Sequence, residues 1–166
     1  MKLLLIGYGK MGQALEKAAE TRGHKIVYRI NSSNKDLLKQ ILKDDVDVAL
    51  EFTGPDTAYE NVKTCLEKGI PVVCGSTGWM ENKSKIEALC KKKDGTFFST
   101  ANFSIGMNIM FKLNEFLAKL ISHYPEYEVK ISEKHHSKKK DIPSGSAMTL
   151  SHGIEANHPH KNKWQL

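Results

Sequence analysis

Two stretches carry residue types whose spacing can do chemistry. The first is Gly7-Tyr8-Gly9-Lys10-Met11-Gly12, which fits G-x-G-x-x-G directly after an apolar run. In that pattern the first glycine permits a tight turn and the second lets the backbone approach a pyrophosphate. The third lets the following helix pack closely on its strand. The helix start adds free N–H groups and a partial positive charge for the anion. The second stretch is "EKHHSKKKDIPSGSAMTL", Glu133 to Leu150. Adjacent imidazoles and three lysines precede a Pro-Ser-Gly turn that opens a predicted helix. Hydroxyls and N–H groups of Ser144-Gly145-Ser146 at that helix start suit a carboxylate. Lysines beside such a cradle, near a reduced nicotinamide, point to an acidic, unsaturated substrate.

Smaller signals lie between the two. "EFTGP" and "CGSTG" put Phe52, Thr53, Gly75, Ser76 and Thr77 at the ends of expected strands. Small residues there leave room for a nicotinamide, although a Thr-Gly pair is also ordinary turn chemistry. The residue that would hold an adenosine ribose diol falls about 20 positions after the glycine turn, at Ile30-Asn31, and no carboxylate stands there. Arg29, Asn31, Ser32, Ser33 and Lys35 do. This set would accept a 2′-phosphate, so NADPH is favoured over NADH, with dual use open; equally, Arg29 and Lys35 can simply be solvated. His135 and His136 are neighbours on an expected strand and so face opposite ways. His152, His158 and His160 are close in sequence, but metal-type spacing is absent and no cysteine is near, so no metal is expected. The Lys138-Lys139-Lys140 run alone would read as a solvated face.

These residues need a scaffold, and the chain supplies alternating elements. Leu3 to Ile6 reads as a buried strand, and residues 10–23 as a helix stopped by Gly23. "HKIVYRI" is a second strand, followed by a short amphipathic helix over residues 31–45. "VDVALEF", "IPVVCG" and "GTFFST" are further strands, separated by helices over 56–69 and 80–94. Such alternation gives a doubly wound parallel sheet, an α/β architecture of Rossmann type, with ligands at the carboxyl ends of the strands. A helix from about residue 107 to 122 follows. After Pro125, "YEVKISEKHH" alternates like the edge strand of a second unit, and "SGSAMTLSHGIEA" is helical. The expected domains are a dinucleotide-binding domain over 1–124 and an incomplete α+β substrate domain over 125–166.

Composition narrows the function classes. A net charge of +6 suits an anionic ligand, and a hydrophobic fraction of 40 % allows a packed core. Three cysteines without C-x-x-C spacing fit a reducing cytoplasm. The apolar start is too short for a signal core, and no segment has the length of a membrane span. A nucleic-acid partner would use the lysine runs but leaves the glycine turn unexplained.

The long stretch resembles the dihydrodipicolinate reductase family, whose signature is E-x-H-H-x-x-K-x-D-x-P-S-G-T-A. Here it runs from Glu133 to Ala147, with Ser146 where the family has threonine. "GKMG", "EFT-P", "G-STG" and "ANFSIGMN" match other family blocks in order. The resemblance implies reduction of a cyclic imine dicarboxylate with NADPH or NADH, in the diaminopimelate route to lysine. It implies His135 as the catalytic histidine and Lys139 as the proton donor. His136, Gly145 and Ser146 become substrate contacts. Gly7 to Gly12, Phe52, Thr53, Gly75 to Thr77, and Thr100, Ala101, Asn102 and Phe103 become cofactor contacts. Family members continue well past residue 166, so a truncated form is expected, with the interface of a family homo-oligomer largely missing. A nucleotide-binding sensor on the same fold, without catalysis, is the alternative.

Overall fold

The computed structural model describes residues 1–135 and 142–159. The chain divides into two compact units, Met1–Thr100 and Ala101–Leu166.

In the first unit five parallel strands form one sheet: β1 (Lys2–Ile6), β2 (Lys25–Ile30), β3 (Val48–Glu51), β4 (Val72–Cys74) and β5 (Phe97–Ser99). Their order is β2-β1-β3-β4-β5. The chain therefore leaves β1 to one side for β2 and returns to the other side for β3. That reversal opens a crevice beyond the carboxyl ends of β1 and β3, the usual ligand position in open α/β sheets. Three helices connect the strands: α1 (Lys10–Thr21), α2 (Pro55–Glu67) and α3 (Lys83–Lys92). Alternation along β1 divides the core. Leu4 and Ile6 share a buried cluster with Val62 and Leu66 of α2 and Ile86 of α3. Leu3 and Leu5 point the other way, into a cluster with Ala19 and Leu15 of α1. Truncating one of these fully buried leucines to alanine costs about 2–5 kcal/mol.

Residues 31–45 depart from expectation. Instead of one amphipathic helix, they form two short 3-10 segments, Lys35–Lys39 and Lys43–Asp45. The cause is local side-chain competition for backbone groups. Asn34 Oδ1 accepts the Asn31 N–H at 2.7 Å, and Asn31 Oδ1 accepts the Ser33 N–H at 2.9 Å. Asp45 Oδ2 accepts the Leu42 N–H at 2.8 Å. Leu38 and Ile41 still reach the core.

The second unit contains α4 (Ile105–Ile121) and α5 (Gly145–Asn157). α4 begins two residues earlier than expected because Ser104 caps it: its Oγ accepts the Met107 N–H at 3.4 Å. The expected boundary at residue 124 and the observed division differ by this helix, which packs on α5. Phe111 and Ala118 of α4 and Ile154 of α5 are buried. Asn114 donates to the Leu150 carbonyl at 2.9 Å. The opposite side of α4 exposes Ile109, Leu113, Phe116, Leu117 and Leu120. The expected edge strand over 127–136 is not formed: residues 127–135 have no strand structure, and residue 136 lies outside the described residues. An extended segment needs a pairing partner to become a strand, and among the described residues none pairs with it.

Candidate functional site

The glycine turn occupies the crevice by packing that only glycine permits. Gly7 ends β1 with φ +97°, and its N–H donates to the Ile30 carbonyl at 2.9 Å. A Cβ there would lie 2.3 Å from the Phe52 carbonyl oxygen. A Cβ on Gly12 would lie 2.2 Å from the Gly7 carbonyl oxygen. Gly9, by contrast, has nothing within 4 Å of its Cβ position. It is also the N-cap of α1, which has no side-chain cap and no acidic residue in its first turn. The turn is thus closed against the protein on two sides and open on the third, where α1 presents unpaired N–H groups. Lys10 and Met11 are exposed at this edge.

The loops after β3 and β4 adjoin the turn. Phe52 touches Gly7 through its carbonyl and covers Gly75 with its ring: a Cβ on Gly75 would lie 2.1 Å from Phe52 Cε1. Thr53 is exposed beside it, and Thr77 is half-buried. The Ser76 hydroxyl is buried without a hydrogen-bond partner among the described residues. An orphaned hydroxyl, an open glycine and an uncapped helix start fit a dinucleotide: α1 and the turn for the pyrophosphate, the loops after β3 and β4 for the nicotinamide.

Glu51, at the end of β3, has no role in the sequence reading and proves to organise this edge. It is fully buried. Its Oε1 accepts the Thr53 N–H at 3.1 Å, the Thr53 hydroxyl, and the Asn61 amide at 3.3 Å. Its Oε2 accepts from the Cys74 thiol at 3.0 Å. Burial first, and this carboxylate second, push the Cys74 thiol well above the usual range.

A second acid missed in the sequence is Glu16 on α1. It accepts Arg29 Nε at 2.8 Å together with an Arg29 terminal nitrogen, and also the Tyr8 hydroxyl. The Arg29 guanidinium lies 5.9 Å from the Tyr8 ring centroid. Arg29, then Tyr8, hold the Glu16 carboxyl below its ordinary value, and Glu16 raises the Tyr8 phenol. No sequence signal marks this triad, because its members lie 8 and 13 positions from Glu16 on separate elements.

In the second unit, Asn102 accepts the Ser104 N–H at 2.8 Å through its side chain, and its carbonyl accepts the Asn108 amide at 2.8 Å. Ala101 is exposed, and Phe103 lines an apolar hollow of about 630 Å³ with Ile105, Ile109, Leu113 and Phe116. Thr100 directly follows β5 in the first unit. Gly145 and Ser146 form the first turn of α5, capped by Ser144, whose Oγ accepts the Ala147 N–H at 3.1 Å. Glu133 binds this cap directly. It accepts the Ser144 N–H at 2.9 Å and the Ser144 hydroxyl, and lies 2.8 Å from His135 Nε2. Ser144, through its hydroxyl and then its N–H, and next His135, lower the Glu133 carboxyl to about 2. His135 is therefore tied to the helix start that carries Gly145 and Ser146. His136 and Lys139 lie outside the described residues. Among the described residues no cluster of metal-ligating side chains occurs, and no helix is long and apolar enough to cross a membrane.

Fold and turn together define a dinucleotide-binding α/β protein. Comparison with known proteins narrows this. The family model for the dihydrodipicolinate reductase N-terminus matches residues 1–103, and that for its C-terminus matches residues 106–165. The 4-hydroxy-tetrahydrodipicolinate reductase of Christiangramia forsetii is 41% identical over 167 residues, spanning 100% of this chain and 69% of its own length. That of Methanocaldococcus jannaschii is 37% identical over 155 residues, spanning 92% of this chain and 49% of its own length. That of Archaeoglobus fulgidus is 34% identical over 159 residues, spanning 86% and 60%. A dipicolinate-bound dihydrodipicolinate reductase from Paenisporosarcina sp. TG-14 shares the fold, with a TM-score of 0.69 at 23% identity over 99% of this chain and 71% of that one. The chain belongs to the dihydrodipicolinate reductase family, and spans between about half and two thirds of the length of these curated relatives.

Proposed function

We propose that the chain reduces 4-hydroxy-tetrahydrodipicolinate to tetrahydrodipicolinate with NADPH or NADH, in the cytoplasmic diaminopimelate route to lysine. The observation that carries this reading is the 41% identity to a reductase of that name across 100% of the chain. The signature from Glu133 to Ala147 lies within that span. NADPH is the favoured cofactor, since no carboxylate follows β2 to repel a 2′-phosphate.

The reduced nicotinamide, when bound, supplies a hydride to the conjugated ring carbon of the cyclic imine formed as the substrate loses water. The chain supplies the rest. N–H groups at the start of α1 bind the pyrophosphate, and Gly9 leaves room for it. Gly145 and Ser146, at the start of α5, bind a substrate carboxylate, with His136 as a further contact. His135 and Lys139 stabilise the charge that develops on the ring, and Lys139 delivers the proton to the adjacent carbon. Glu133 holds His135 at the α5 start, so the imidazole and the carboxylate cradle move as one piece.

The test follows nicotinamide absorbance with freshly generated substrate. Wild-type turnover is expected, and Lys139→Ala should lower it by about a hundredfold or more, as for loss of a general acid, with dinucleotide affinity unchanged. Tight dinucleotide binding without turnover, indifferent to Lys139→Ala, would refute the reading.

A further inference from the structure

We propose that Glu16 is a specificity-determining residue for the dinucleotide: as the counter-ion of Arg29, it blunts the preference for a 2′-phosphorylated cofactor. The inference rests on the reading of the glycine turn as a dinucleotide site.

In open α/β sheets of this kind the adenosine ribose lies past the end of the second strand. The loop that follows β2 brings no acid of its own there. Asn31 Oδ1 is taken by the Ser33 N–H at 2.9 Å and the Ser33 hydroxyl at 2.6 Å, and Asn34 Nδ2 donates to the Arg29 carbonyl at 2.9 Å. The cations of this edge are Arg29 and Lys35, and read from sequence Arg29 is either solvated or a phosphate contact. The structure pairs it instead with an acid from α1. The Glu16 side chain is 14% exposed and that of Arg29 41%, so the acid lies beneath and the guanidinium faces out. Tyr8, inside the glycine turn, fixes the same carboxylate from the other side through its hydroxyl.

Two consequences follow for a ligand at this edge. Arg29 has given Nε and one terminal nitrogen to Glu16, but a guanidinium carries five N–H donors. Donors therefore remain for a phosphate, and hydrogen bonding to it survives. The net charge of the pair, however, is close to zero, so the Coulombic attraction by which Arg29 would separate a 2′-phosphate from a plain hydroxyl is largely cancelled, leaving Lys35 as the cation of the set that Glu16 does not neutralise. An uncharged ribose diol gains and loses nothing by that cancellation. The chain then accepts both dinucleotides with a modest bias, set by how fully Glu16 neutralises Arg29.

The experiment is titration calorimetry on wild type, Glu16→Gln, Arg29→Gln and the double variant. The ligands are NADPH and NADH, and in parallel adenosine 2′,5′-bisphosphate and AMP, which carry only the ribose end. Glu16→Gln should tighten the phosphorylated ligand of each pair relative to its partner by about fivefold, the upper end for a solvent-facing charge. Arg29→Gln should shift the ratio the other way, and the double variant should show no gain. An unchanged ratio in Glu16→Gln, a shift toward NADH, or a gain that persists without Arg29 would overturn the proposal. Wild type offers a check that needs no variant: its two dinucleotide affinities should agree within about tenfold, and a larger bias in either direction overturns the idea. Missing turnover with these ratios intact would count against the reductase reading and leave Glu16 in its role. Failure of wild type to bind either dinucleotide would remove both.

Discussion

Replacing Gly9 by alanine should abolish tight dinucleotide binding while leaving the fold untouched. The structure sets the two halves of this expectation separately. Gly9 has φ −85° and ψ −158°, an extended conformation open to any residue, and its Cβ position has no neighbour within 4 Å. Alanine there meets no protein atom; the gain from narrowing the unfolded ensemble is offset by alanine's poorer fit at an N-cap, so stability should change by less than about 1 kcal/mol either way. The added methyl enters the space where the backbone must approach the pyrophosphate, so affinity should fall at least about tenfold, or about 1.4 kcal/mol. Gly7→Ala is the opposite case. Its φ of +97° disfavours any side chain, and the new Cβ would sit 2.3 Å from the Phe52 carbonyl oxygen. Left-handed strain costs about 1–2 kcal/mol and forced repacking about 1–3 more, so a loss of about 2–5 kcal/mol is expected. Urea unfolding reads the stability of both variants, and calorimetric titration with NADPH reads binding. Wild-type affinity in a folded Gly9→Ala protein would refute the reasoning, because the open space would then not be the pyrophosphate site.

Three further outcomes follow from the same geometry. Glu51→Ala leaves the buried Cys74 thiol with only the long 3.9 Å contact to the Ser76 carbonyl, while the half-buried Asn61 amide keeps Thr53 Oγ1 at 3.3 Å. With about 1–3 kcal/mol per buried unpaired donor, and Thr53 free to turn to water, a loss of about 2 kcal/mol is expected. Glu51→Gln should lose less than Glu51→Ala, since its carbonyl can still accept from Thr53 and Asn61 although its NH2 no longer accepts from the Cys74 thiol; equal losses in both variants would contradict the role given to the carboxylate. Among the cysteines, Cys90 is half-buried, whereas burial pushes the Cys65 thiol up to about 12 and the Cys74 thiol also upward. A thiol reagent at mild alkaline pH should therefore label Cys90 first, and rapid labelling of Cys74 in the native chain, followed by mass spectrometry, would argue against its contact with Glu51. Glu133 is lowered from 4.5 to about 2 in the folded chain. Its contribution is complete above about pH 4.5 and disappears as pH falls toward 2. Hydrogen exchange at the start of α5 should accelerate across that window in wild type, and Glu133→Gln should remove the pH dependence; an identical acid transition in both would show that another group controls it.

The sheet was legible because its determinants are local and periodic. The apolar run at Leu3 to Ile6, the glycines at 7, 9 and 12, and helix stops such as Gly23 announce themselves within a few residues. Expectation failed where side chains decide between backbone partners. Asn31, Asn34 and Asp45 divert the segment after β2 from an α-helix into 3-10 turns, and periodicity cannot register three hydrogen bonds. The missing strand over 127–135 is a different kind of failure. Alternation marks a segment able to form a strand, but pairing is a tertiary event, and no amount of pattern supplies the partner. The candidate site divides along the same line. Glycines and hydroxyls at strand ends were visible because the strand-turn-helix context fixes their place. The acids that hold the site together were not, since each acts across elements: Glu51 from β3 to Cys74 on β4, Glu16 from α1 to Arg29 on β2, Glu133 across 11 residues to Ser144. Missing the counter-ion of Arg29 was the costliest of these gaps, because a charge counted from sequence does not give the net charge at a site until its counter-ion is known. A paired guanidinium attracts a phosphate less than a bare one, and only the position of Glu16 on the neighbouring helix tells them apart.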